Sequence, residues 1–411
     1  MANISEGVSS KLIELIKRPK DQISVVELVD LMVQHAFLMD ASDIHLEPAE
    51  QEVRLRLRID GMLVDVLRPA QIIKELHPEI ISRIKVLSGM RTDEHLVPQD
   101  GRFKVKINMG EVDVRVSIMP TYHGENAIMR ILAESHSFKL EELGFSPQDL
   151  ARVEKTLEKP YGMILANGPT GSGKTTTLYT ILKRLNQPES SVITIEDPIE
   201  YYLEGTTQIQ TNTQVGLTFA NGLRSILRQD PNTVMVGEIR DEETASIAVN
   251  AALTGHLVLS TLHTSDAATT FPRLMDMKVP PFLVASTVNV AMGQRLIRTI
   301  CTKCRLEIKL TEAEAKSVDE ILPGLATSKS VFYRGQGCDN CKKTGYQGRI
   351  GIREVLMVSD NIRQMIMDHA NATQVKDAAV KEGMTTMVQD GIRKAQEGVT
   401  TIEEVLRIIH E

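Results

Sequence analysis

The sequence predicts a mixed α/β protein with four successive parts: an α+β N-terminal domain, a mostly parallel α/β core, a cysteine-rich lobe and a helical C-terminal region. Three observations indicate this organisation. Helical spacing and alternating strands are combined before about residue 134, short apolar runs alternate with helices up to about residue 297, and all four cysteines lie in one later stretch. A length of 411 residues fits about two to four domains.

The N-terminal part alternates between helical and strand patterns. Apolar residues recur at three- and four-residue spacing in residues 23–41 and 78–90, which predicts two amphipathic helices. Residues 52–67 alternate apolar and arginine side chains around an Asp-Gly turn, and residues 102–119 form a second alternating pair. Two β-hairpins are therefore expected, and the arginine face of the first is typical of a solvated strand face.

Composition narrows the possible function classes. The net charge of −7, the absence of tryptophan and an aromatic content of 4% argue against broad nucleic-acid binding, which uses basic surfaces and stacking platforms. No apolar run approaches the roughly 18 to 20 residues that span a bilayer, and the N-terminus lacks the apolar core of a signal peptide. We therefore expect a cytoplasmic protein that could dock on a membrane complex.

The cysteines form a C-x2-C pair, a gap and a second C-x2-C pair. This spacing is typical of a closed, tetrahedral zinc site, in which each pair supplies one edge. Incidental thiols or two disulfides are the alternatives, and disulfides are rare in the cytosol. We expect structural zinc, which would stabilise the lobe by on the order of 10 kcal/mol. The predicted ligands are Cys301, Cys304, Cys338 and Cys341.

The segment GPTGSGKT, residues 168–175, fits the pattern G-x-x-x-x-G-K-[ST]. Its glycines allow backbone N–H groups to surround phosphates, and the following helix directs its N-terminus at them. Lys174 would reach the β- and γ-phosphates and Thr175 would bind Mg²⁺. The apolar run MILAN before the motif supplies the required strand. The predicted nucleotide-binding residues are Gly168, Pro169, Thr170, Gly171, Ser172, Gly173, Lys174, Thr175 and Thr176.

Two further apolar strands end in acidic residues. SVITIEDPIEY ends in Glu196 and Asp197, and TVMVGEIRD delivers Glu238 as a second candidate for the magnesium site. Acids at the carboxyl ends of parallel strands face the ligand crevice, although any single one could be a helix cap or a loop residue. A third strand, within GHLVLSTLHTSDA, lies between His256 and His263. From spacing alone, these histidines are as compatible with a structural role as with phosphate sensing.

At this point the chain resembles a known family. GPTGSGKTTTLY, ITIEDPIEY, VGEIRDEETA and TGHLVLSTLHTSDA are similar, in order and spacing, to the Walker A, Asp box, Walker B and His box of type II secretion and type IV pilus ATPases. CTKC and CDNC, TGYQGRIGIREVL and MVQDGIRKAQEGVTTIEEVL resemble the tetracysteine lobe and C-terminus of the assembly branch. SDIHLEP, RLRIDG, QDGR and VDVRVSIMPTYHGENAIMRIL resemble the N2 domain of the family. The resemblance covers about residues 23–409.

The resemblance implies a RecA-like P-loop core with a PAS-like N-terminal domain, arranged as a homohexameric ring motor. It implies that Lys174 and Thr175 bind ATP–Mg²⁺, that Glu196 is the catalytic base and that Glu238 supports Mg²⁺ and water. The two histidines would couple phosphate state to domain movement. Arginines of the N-terminal domain would close over the phosphates. The residues in these last two roles are His256, His263, Arg115, Arg130 and, as a weaker candidate, Arg102.

The same resemblance implies a motor at the inner face of the cell membrane, bound to an inner-membrane platform protein and without direct nucleic-acid contact. Longer relatives carry a further N-terminal docking domain, so we expect either a truncated chain or a compact member. Retraction motors of the family generally lack the cysteine lobe, so its presence in this sequence favours assembly or export. The predicted divisions are 1–22 (flexible leader), 23–134 (N2-like), 135–297 (ATPase core), 298–350 (zinc lobe) and 351–411 (C-terminal helices).

Pilus extension is the function that the resemblance favours, with type II protein secretion as the alternative pathway. A nucleic-acid-dependent P-loop motor and a scaffold that binds nucleotide without hydrolysing it are alternatives from other classes. ATP turnover that does not respond to single-stranded DNA would exclude the former. The intact Lys174, Glu196 and Glu238 argue against the latter.

Overall fold

The computed structural model describes residues 2–107, 110–132, 138–312, 316, 318, 319 and 331–410. Backbone contacts divide the chain into two compact units, Met1–His136 and Ser137–Glu411. Among the described residues, no helix is at once long and apolar enough for a bilayer crossing. Apart from its first segment, the predicted five-part division is finer than these two units and stays a prediction.

The N-terminal unit is an antiparallel sheet in the order β3-β2-β1-β7-β6-β5, with β4 beside β2. Helices α2 and α3 share one apolar core with the buried positions of this sheet. The strands are β1 Ala41–Pro48, β2 Glu52–Ile59, β3 Met62–Asp65, β4 Ile72–Ile73, β5 Gln99–Ile107, β6 Gly110–Thr121 and β7 Gly124–Leu132; the helices are α1 Ala2–Ile16, α2 Val25–Leu38 and α3 His77–Leu87.

Both predicted helices and both predicted hairpins of this unit are present. Ser24 caps α2 by accepting the backbone N–H of Glu27 at 3.3 Å, which satisfies one of the free donors at the helix start. In β2 the residues Val53, Leu55 and Leu57 are buried, whereas the arginines between them are more exposed. Alternation along the strand thus places the apolar face on the helices.

The prediction of a flexible leader over residues 1–22 is wrong. Ala2–Ile16 is a helix, and it packs on α2. Leu12 and Leu15 are fully or almost fully buried in the core of the N-terminal unit. Their spacing, together with Val8, places them along one side of the helix, so burial of this apolar stripe stabilises a segment that has no motif of its own.

The C-terminal unit contains a seven-stranded sheet in the order β10-β9-β11-β12-β8-β13-β16. All neighbouring pairs are parallel except β13 and β16, which are antiparallel. The strands are β8 Gly162–Asn167, β9 Val192–Glu196, β10 Thr207–Gln210, β11 Thr233–Val236, β12 Leu257–Leu262, β13 Val288–Ile300 and β16 Tyr346–Met357.

Helices cover both faces of this sheet, as predicted. In β8, Met163 and Leu165 belong to one apolar cluster while Ile164 and Ala166 belong to another, because successive side chains point to opposite faces. Both faces of the strand are therefore buried, which explains its continuous apolar run. The helices up to β13 are α4 Pro147–Leu157, α5 Lys174–Leu185, α6 Phe219–Ile226, α7 Glu242–Leu253, α8 Thr270–Asp276 and α9 Pro281–Thr287.

The cysteine lobe contains a small antiparallel pair, β14 Arg305–Lys309 and β15 Val331–Gly335. The spacing of Thr311 and Glu314 predicts a capping box, and Glu314 lies outside the described residues. The spacing of Thr401 and Glu404 predicts a capping pair at the last helix, and the Glu404 backbone N–H donates to Thr401 Oγ1 at 3.3 Å. The C-terminal helices are α10 Asp360–Met367, α11 Ala372–Lys381, α12 Met387–Gln396 and α13 Ile402–His410.

Candidate active site

Four parallel strands of the C-terminal unit bring the site residues predicted for the ATPase core to one edge of the sheet. The strands β9, β11, β12 and β8 are successive neighbours, and the carboxyl ends of parallel strands meet at the same edge. Glu196 ends β9, Glu238 follows β11, His263 follows β12, and the loop 168–173 follows β8. This edge is therefore the candidate site.

The loop after β8 curves back into α5 with the backbone that its glycines allow. Gly168 has φ 146° and Gly173 has φ 85°, both in the region that residues with a Cβ rarely adopt. A Cβ on Gly168 would also lie 2.5 Å from the carbonyl oxygen of Gln294. The loop thus ends at the N-terminus of α5, where free backbone N–H groups favour an anion.

The side chain of Lys174 folds back onto this loop. Its Nζ donates hydrogen bonds to the carbonyl oxygens of Gly168 at 2.8 Å and Pro169 at 2.9 Å. Burial lowers the pKa of Lys174 to about 8, with Glu238 opposing the shift and Arg295 adding to it. A phosphate would supply the negative charge that this buried ammonium lacks, so the lysine is suited to bind an anion in the loop.

Glu196 is enclosed by neutral donors. Tyr179 donates its hydroxyl to Oε2, Thr194 donates its hydroxyl to Oε1 at 2.6 Å, and Gln208 Nε2 lies 3.3 Å from Oε1. Only 2% of Glu196 is exposed, and burial raises the pKa of its carboxyl although these three hydrogen bonds oppose the shift. A carboxylate with a raised pKa is a better proton acceptor than one in water, which suits a general base.

Glu238 forms the centre of a second cluster. Its Oε2 forms an ion pair with Arg240 Nε at 2.6 Å and a hydrogen bond with His263 Nε2 at 3.1 Å. Glu238 also opposes the lowering of the Lys174 pKa, which indicates that the carboxylate acts on the loop lysine. Thr175 occupies the first turn of α5 beside Lys174. Carboxylate and hydroxyl oxygens are ligands that Mg²⁺ prefers, so the donor set fits this metal.

The structure does not bring His256 to this edge, and the coupling role that the resemblance implies for it stays a prediction. His256 precedes β12 and His263 follows it, so seven residue steps along the strand Leu257–Leu262 separate them by about 23 Å. His256 Nδ1 instead contacts the Ala251 carbonyl oxygen at 3.0 Å, at the end of α7. This contact is the structural alternative that the spacing left open.

The candidate arginines of the N-terminal unit lie in one cross-strand row. Arg115 on β6 is directly opposite Arg102 on β5 and Arg130 on β7. Arg130 also pairs with Asp43 through Nε and Oδ1 at 2.9 Å, and Arg102 pairs with Asp113 at 2.5 Å. The register therefore adds Arg102, the weaker candidate, to the same row as the other two.

The four cysteines form one cluster. All four Sγ atoms lie within 4.8 Å of one another, and three of the pairs are 3.7 to 3.8 Å apart. Zn–S bonds of about 2.3 Å in tetrahedral geometry require sulfur atoms about 3.8 Å apart. All four thiols are free, so the disulfide alternative is not what the structure contains. The cluster fits zinc.

Sequence reasoning missed several side chains that contact these groups. Tyr179 and Gln208 contact Glu196, and Gln294 on β13 contacts the loop that follows β8. Tyr179 stands on α5, whose apolar spacing gives it the appearance of a core residue. Gln294 interrupts an apolar strand, and a polar residue inside a buried run is the signal that could have identified it.

Comparisons with known proteins agree with this fold. The family model described as "Type II/IV secretion system protein" matches residues 18–407. A Thermus thermophilus protein named type IV pilus assembly ATPase PilB is 44% identical over 391 residues, which is 94% of this chain and 43% of that protein. A Xanthomonas campestris protein named type II secretion system protein E is 45% identical over 411 residues, or 99% of this chain and 71% of that protein.

A solved structure has the same fold. The crystal structure of the pilus retraction motor PilT with bound ADP superimposes with a TM-score of 0.62 at 25% identity, and the match covers 92% of this chain and 96% of that one. The chain thus spans less than half of the Thermus relative and most of the Xanthomonas relative. Because the family model matches nearly its whole length, this chain belongs to the type II/IV secretion system protein family.

Proposed function

We propose that this chain is a motor ATPase that binds ATP–Mg²⁺ at the carboxyl edge of the C-terminal sheet and uses hydrolysis to assemble pilins or pseudopilins. The observation that carries this proposal is the convergence of Lys174, Glu196, Glu238 and His263 at one sheet edge, beside a phosphate-binding loop. The names of the relatives, pilus assembly ATPase and type II secretion protein, support it.

The proposed reaction is attack of water on the γ-phosphorus, which breaks its bond to the bridging oxygen and leaves ADP and phosphate. Glu196 takes the proton from the attacking water, for which its raised pKa suits it. Lys174 leaves the loop carbonyls and donates to the phosphate oxygens. Bound Mg²⁺ would neutralise phosphate charge, with Thr175 and Glu238 as the residues that hold it. His263, through Glu238, would respond to the γ-phosphate.

Arg115 and Arg130, with Arg102 in the same row, are proposed to stabilise charge on the transferred phosphoryl group. A guanidinium is a permanent charge with paired donors, which suits phosphate oxygens. In each turnover, Arg130 would exchange between phosphate and the Asp43 carboxylate, and Arg102 between phosphate and the Asp113 carboxylate. A homohexamer in which ATP draws domains together and hydrolysis releases them would convert this exchange into movement.

The cysteine cluster is proposed to hold structural zinc through Cys301, Cys304, Cys338 and Cys341. The sulfur separations support this assignment, and four thiolates leave no open position for catalysis. As partner we propose an inner-membrane platform protein, with the motor in the cytoplasm at the inner face of the membrane. The net charge of −7 supports a protein rather than a nucleic-acid partner.

ATP turnover by the purified chain tests the activity. The wild-type chain should release phosphate from ATP in the presence of Mg²⁺, and Lys174→Ala should not, because a buried phosphate ligand is lost. Turnover that depends on single-stranded DNA would favour the nucleic-acid motor instead. Nucleotide binding without turnover would favour the scaffold.

A complementation experiment tests the pathway. The gene is deleted in the source cell and restored as wild type or Lys174→Ala, after which surface pili are counted and exported enzymes are assayed. Loss of pili that only wild type reverses would establish pilus extension. Normal pili with exported enzymes retained inside the cell would establish type II secretion in its place.

A further inference from the structure

Gln294 is a fully buried amide on β13 that contacts both the phosphate-binding loop and the start of α5. Its Nε2 donates to the carbonyl oxygen of Ser172 at 2.7 Å, and its Oε1 accepts the hydroxyl of Thr177 at 2.9 Å. Its exposure is 0%. Ser172 precedes Lys174 by two residues and Thr177 follows it by three, so one side chain fixes the chain on both sides of the lysine.

The position of β13 explains why this contact is possible. In the parallel pair of β13 and β8, Gly293 lies opposite Asn167, the last residue before the loop. The next residue of β13, Gln294, therefore lies beneath the point where β8 turns into the loop. A Cβ on Gly173 would approach Gln294 Nε2 to 3.4 Å, so the loop rests directly on this strand.

Both hydrogen-bonding groups of the amide are used, and their directions are fixed. The Thr177 hydroxyl donates to Oε1, and this orientation of the amide leaves Nε2 facing the Ser172 carbonyl oxygen. Loss of Nε2 would leave a buried carbonyl oxygen without this donor, which is costly at a site that excludes water. The two hydrogen bonds thereby hold the loop in its curved form.

We propose that Gln294 is a positioning residue for nucleotide binding, which pre-organises the phosphate-binding loop and the start of α5 by joining Ser172 to Thr177. This inference rests on the proposed nucleotide-binding function. It means that β13, the strand next to β8, contributes to nucleotide affinity in addition to the loop motif itself. Pre-organisation raises affinity because binding then does not have to offset the free-energy cost of ordering the loop.

Gln294→Glu provides a test that a general packing role would not mimic. The introduced carboxyl has the shape of the amide, but it donates to the Ser172 carbonyl only when it is protonated. The readout is the dissociation constant of a fluorescent ADP analogue at pH 6 and pH 8.5, divided by the wild-type value at the same pH. We expect binding about 10-fold weaker than wild type at pH 8.5 and recovery toward wild type at pH 6.

Asn289→Asp is the matched control, because it makes the same amide-to-acid change on the same strand. Asn289 Nδ2 donates to the Tyr161 carbonyl oxygen at 2.8 Å, before β8 begins and away from the loop. Asn289→Asp should change the unfolding midpoint and leave the dissociation-constant ratio near one at both pH values. A ratio that rises equally for both variants at pH 8.5 would assign Gln294 to packing and overturn the proposal.

A second pair of variants keeps the test decisive if Gln294→Glu does not fold. Thr177→Val removes the hydroxyl that orients the amide and should weaken binding of the ADP analogue, whereas Thr177→Ser should retain it. Binding by Thr177→Val at the wild-type level would contradict the proposal. Failure of the folded wild-type chain to bind the analogue would overturn the proposed function, and the positioning role with it.

Discussion

His263 Nε2 lies 3.1 Å from Glu238 Oε2, so that one hydrogen bond joins the residues that follow two neighbouring parallel strands. Arg240 Nε contacts the same carboxylate oxygen at 2.6 Å. A phosphate at the nearby loop would compete with Glu238 for these donors. The pair is therefore the connection through which the state of the phosphate would reach the segment after β12.

The two histidines around β12 should differ in their effect on turnover. His263→Ala removes the contact with Glu238, and we expect ATP turnover to fall by about 10-fold or more. His256→Ala changes a contact with Ala251 at the opposite end of the strand and should leave turnover within about 2-fold of wild type. Steady-state phosphate release by both variants is the measurement. Equal losses would contradict the separation that the structure gives them.

The Tyr179 hydroxyl should influence the pH dependence of turnover. Burial raises the pKa of Glu196, and the hydrogen bond from Tyr179 opposes this rise. A general base acts when deprotonated, so activity is lost as pH falls through its pKa. Tyr179→Phe removes an opposing contribution, and the acidic limb of the kcat profile should move to higher pH.

The control for this change is Tyr202→Phe, because Tyr202 is 77% exposed. Its kcat profile should coincide with that of the wild-type chain. An unshifted acidic limb in Tyr179→Phe would show that the hydroxyl does not act on the base.

Binding of nucleotide should be accompanied by proton uptake above pH 8. Burial lowers the pKa of Lys174 to about 8 in the free protein, so at pH 8.5 part of the population is neutral. The phosphate charge favours the ammonium and raises this pKa, which means that protons bind together with ADP. Calorimetry in two buffers of different ionisation enthalpy measures this uptake. No uptake at pH 8.5 would contradict a buried, phosphate-binding Lys174.

The same shift gives a dependence of stability on pH. The pKa of Lys174 is lower in the folded chain than the ordinary value of 10.5, so between about pH 8 and 10.5 the unfolded chain binds more protons. This residue therefore contributes a free energy of unfolding that rises with pH across that interval. Lys174→Met should remove its contribution, as measured by chemical denaturation at pH 7.5 and 9.5.

Zinc content should depend on the cysteine cluster. Cys304→Ser removes one of four ligands, and we expect bound zinc per chain to fall and the thermal unfolding midpoint to decrease. Asn340→Ala removes a donor 3.6 Å from Cys301 Sγ while keeping the ligands, so it should weaken zinc affinity by about 10- to 100-fold without abolishing binding. Elemental analysis and competition with a chelator report both. Unchanged metal content in Cys304→Ser would refute the four-thiolate site.

The first helix should contribute to the stability of the N-terminal unit. Leu12 is fully buried between α1 and the rest of this core. Leu12→Ala should lower the free energy of unfolding by about 2–5 kcal/mol, because it removes contacts and leaves a cavity. The exposed neighbour Lys11 supplies the control, and Lys11→Ala should change stability by about 0.5 kcal/mol or less. Equal stabilities of Leu12→Ala and Lys11→Ala would contradict this packing and favour a flexible leader.

Much of the site could be predicted because its signals are local. The phosphate-binding loop is one continuous segment, and Glu196 and Glu238 each stand at the end of an apolar strand. Parallel strands place such residues at one edge whatever the details of packing. The cysteine pairs similarly define their own geometry.

The remaining contacts depend on packing between distant segments. Gln294 reaches Ser172 across 122 residues of sequence, and no local pattern specifies that contact. The row of Arg102, Arg115 and Arg130 depends on the register between three strands, which alternation leaves open by two-residue steps. The position of His256 follows from strand direction, because a residue before a strand and a residue after it lie at opposite edges.

The central claim is that Glu196 activates water for ATP hydrolysis at this edge. It is tested most directly by measuring ATP binding and phosphate release on the same samples of wild type, Glu196→Gln and Glu189→Gln. Glu189 is exposed and precedes the same strand, so its variant is the matched control. The account predicts that all three bind ATP, that Glu189→Gln turns over like wild type and that Glu196→Gln is slower by about 100-fold or more. Turnover by Glu196→Gln at the wild-type rate would contradict it.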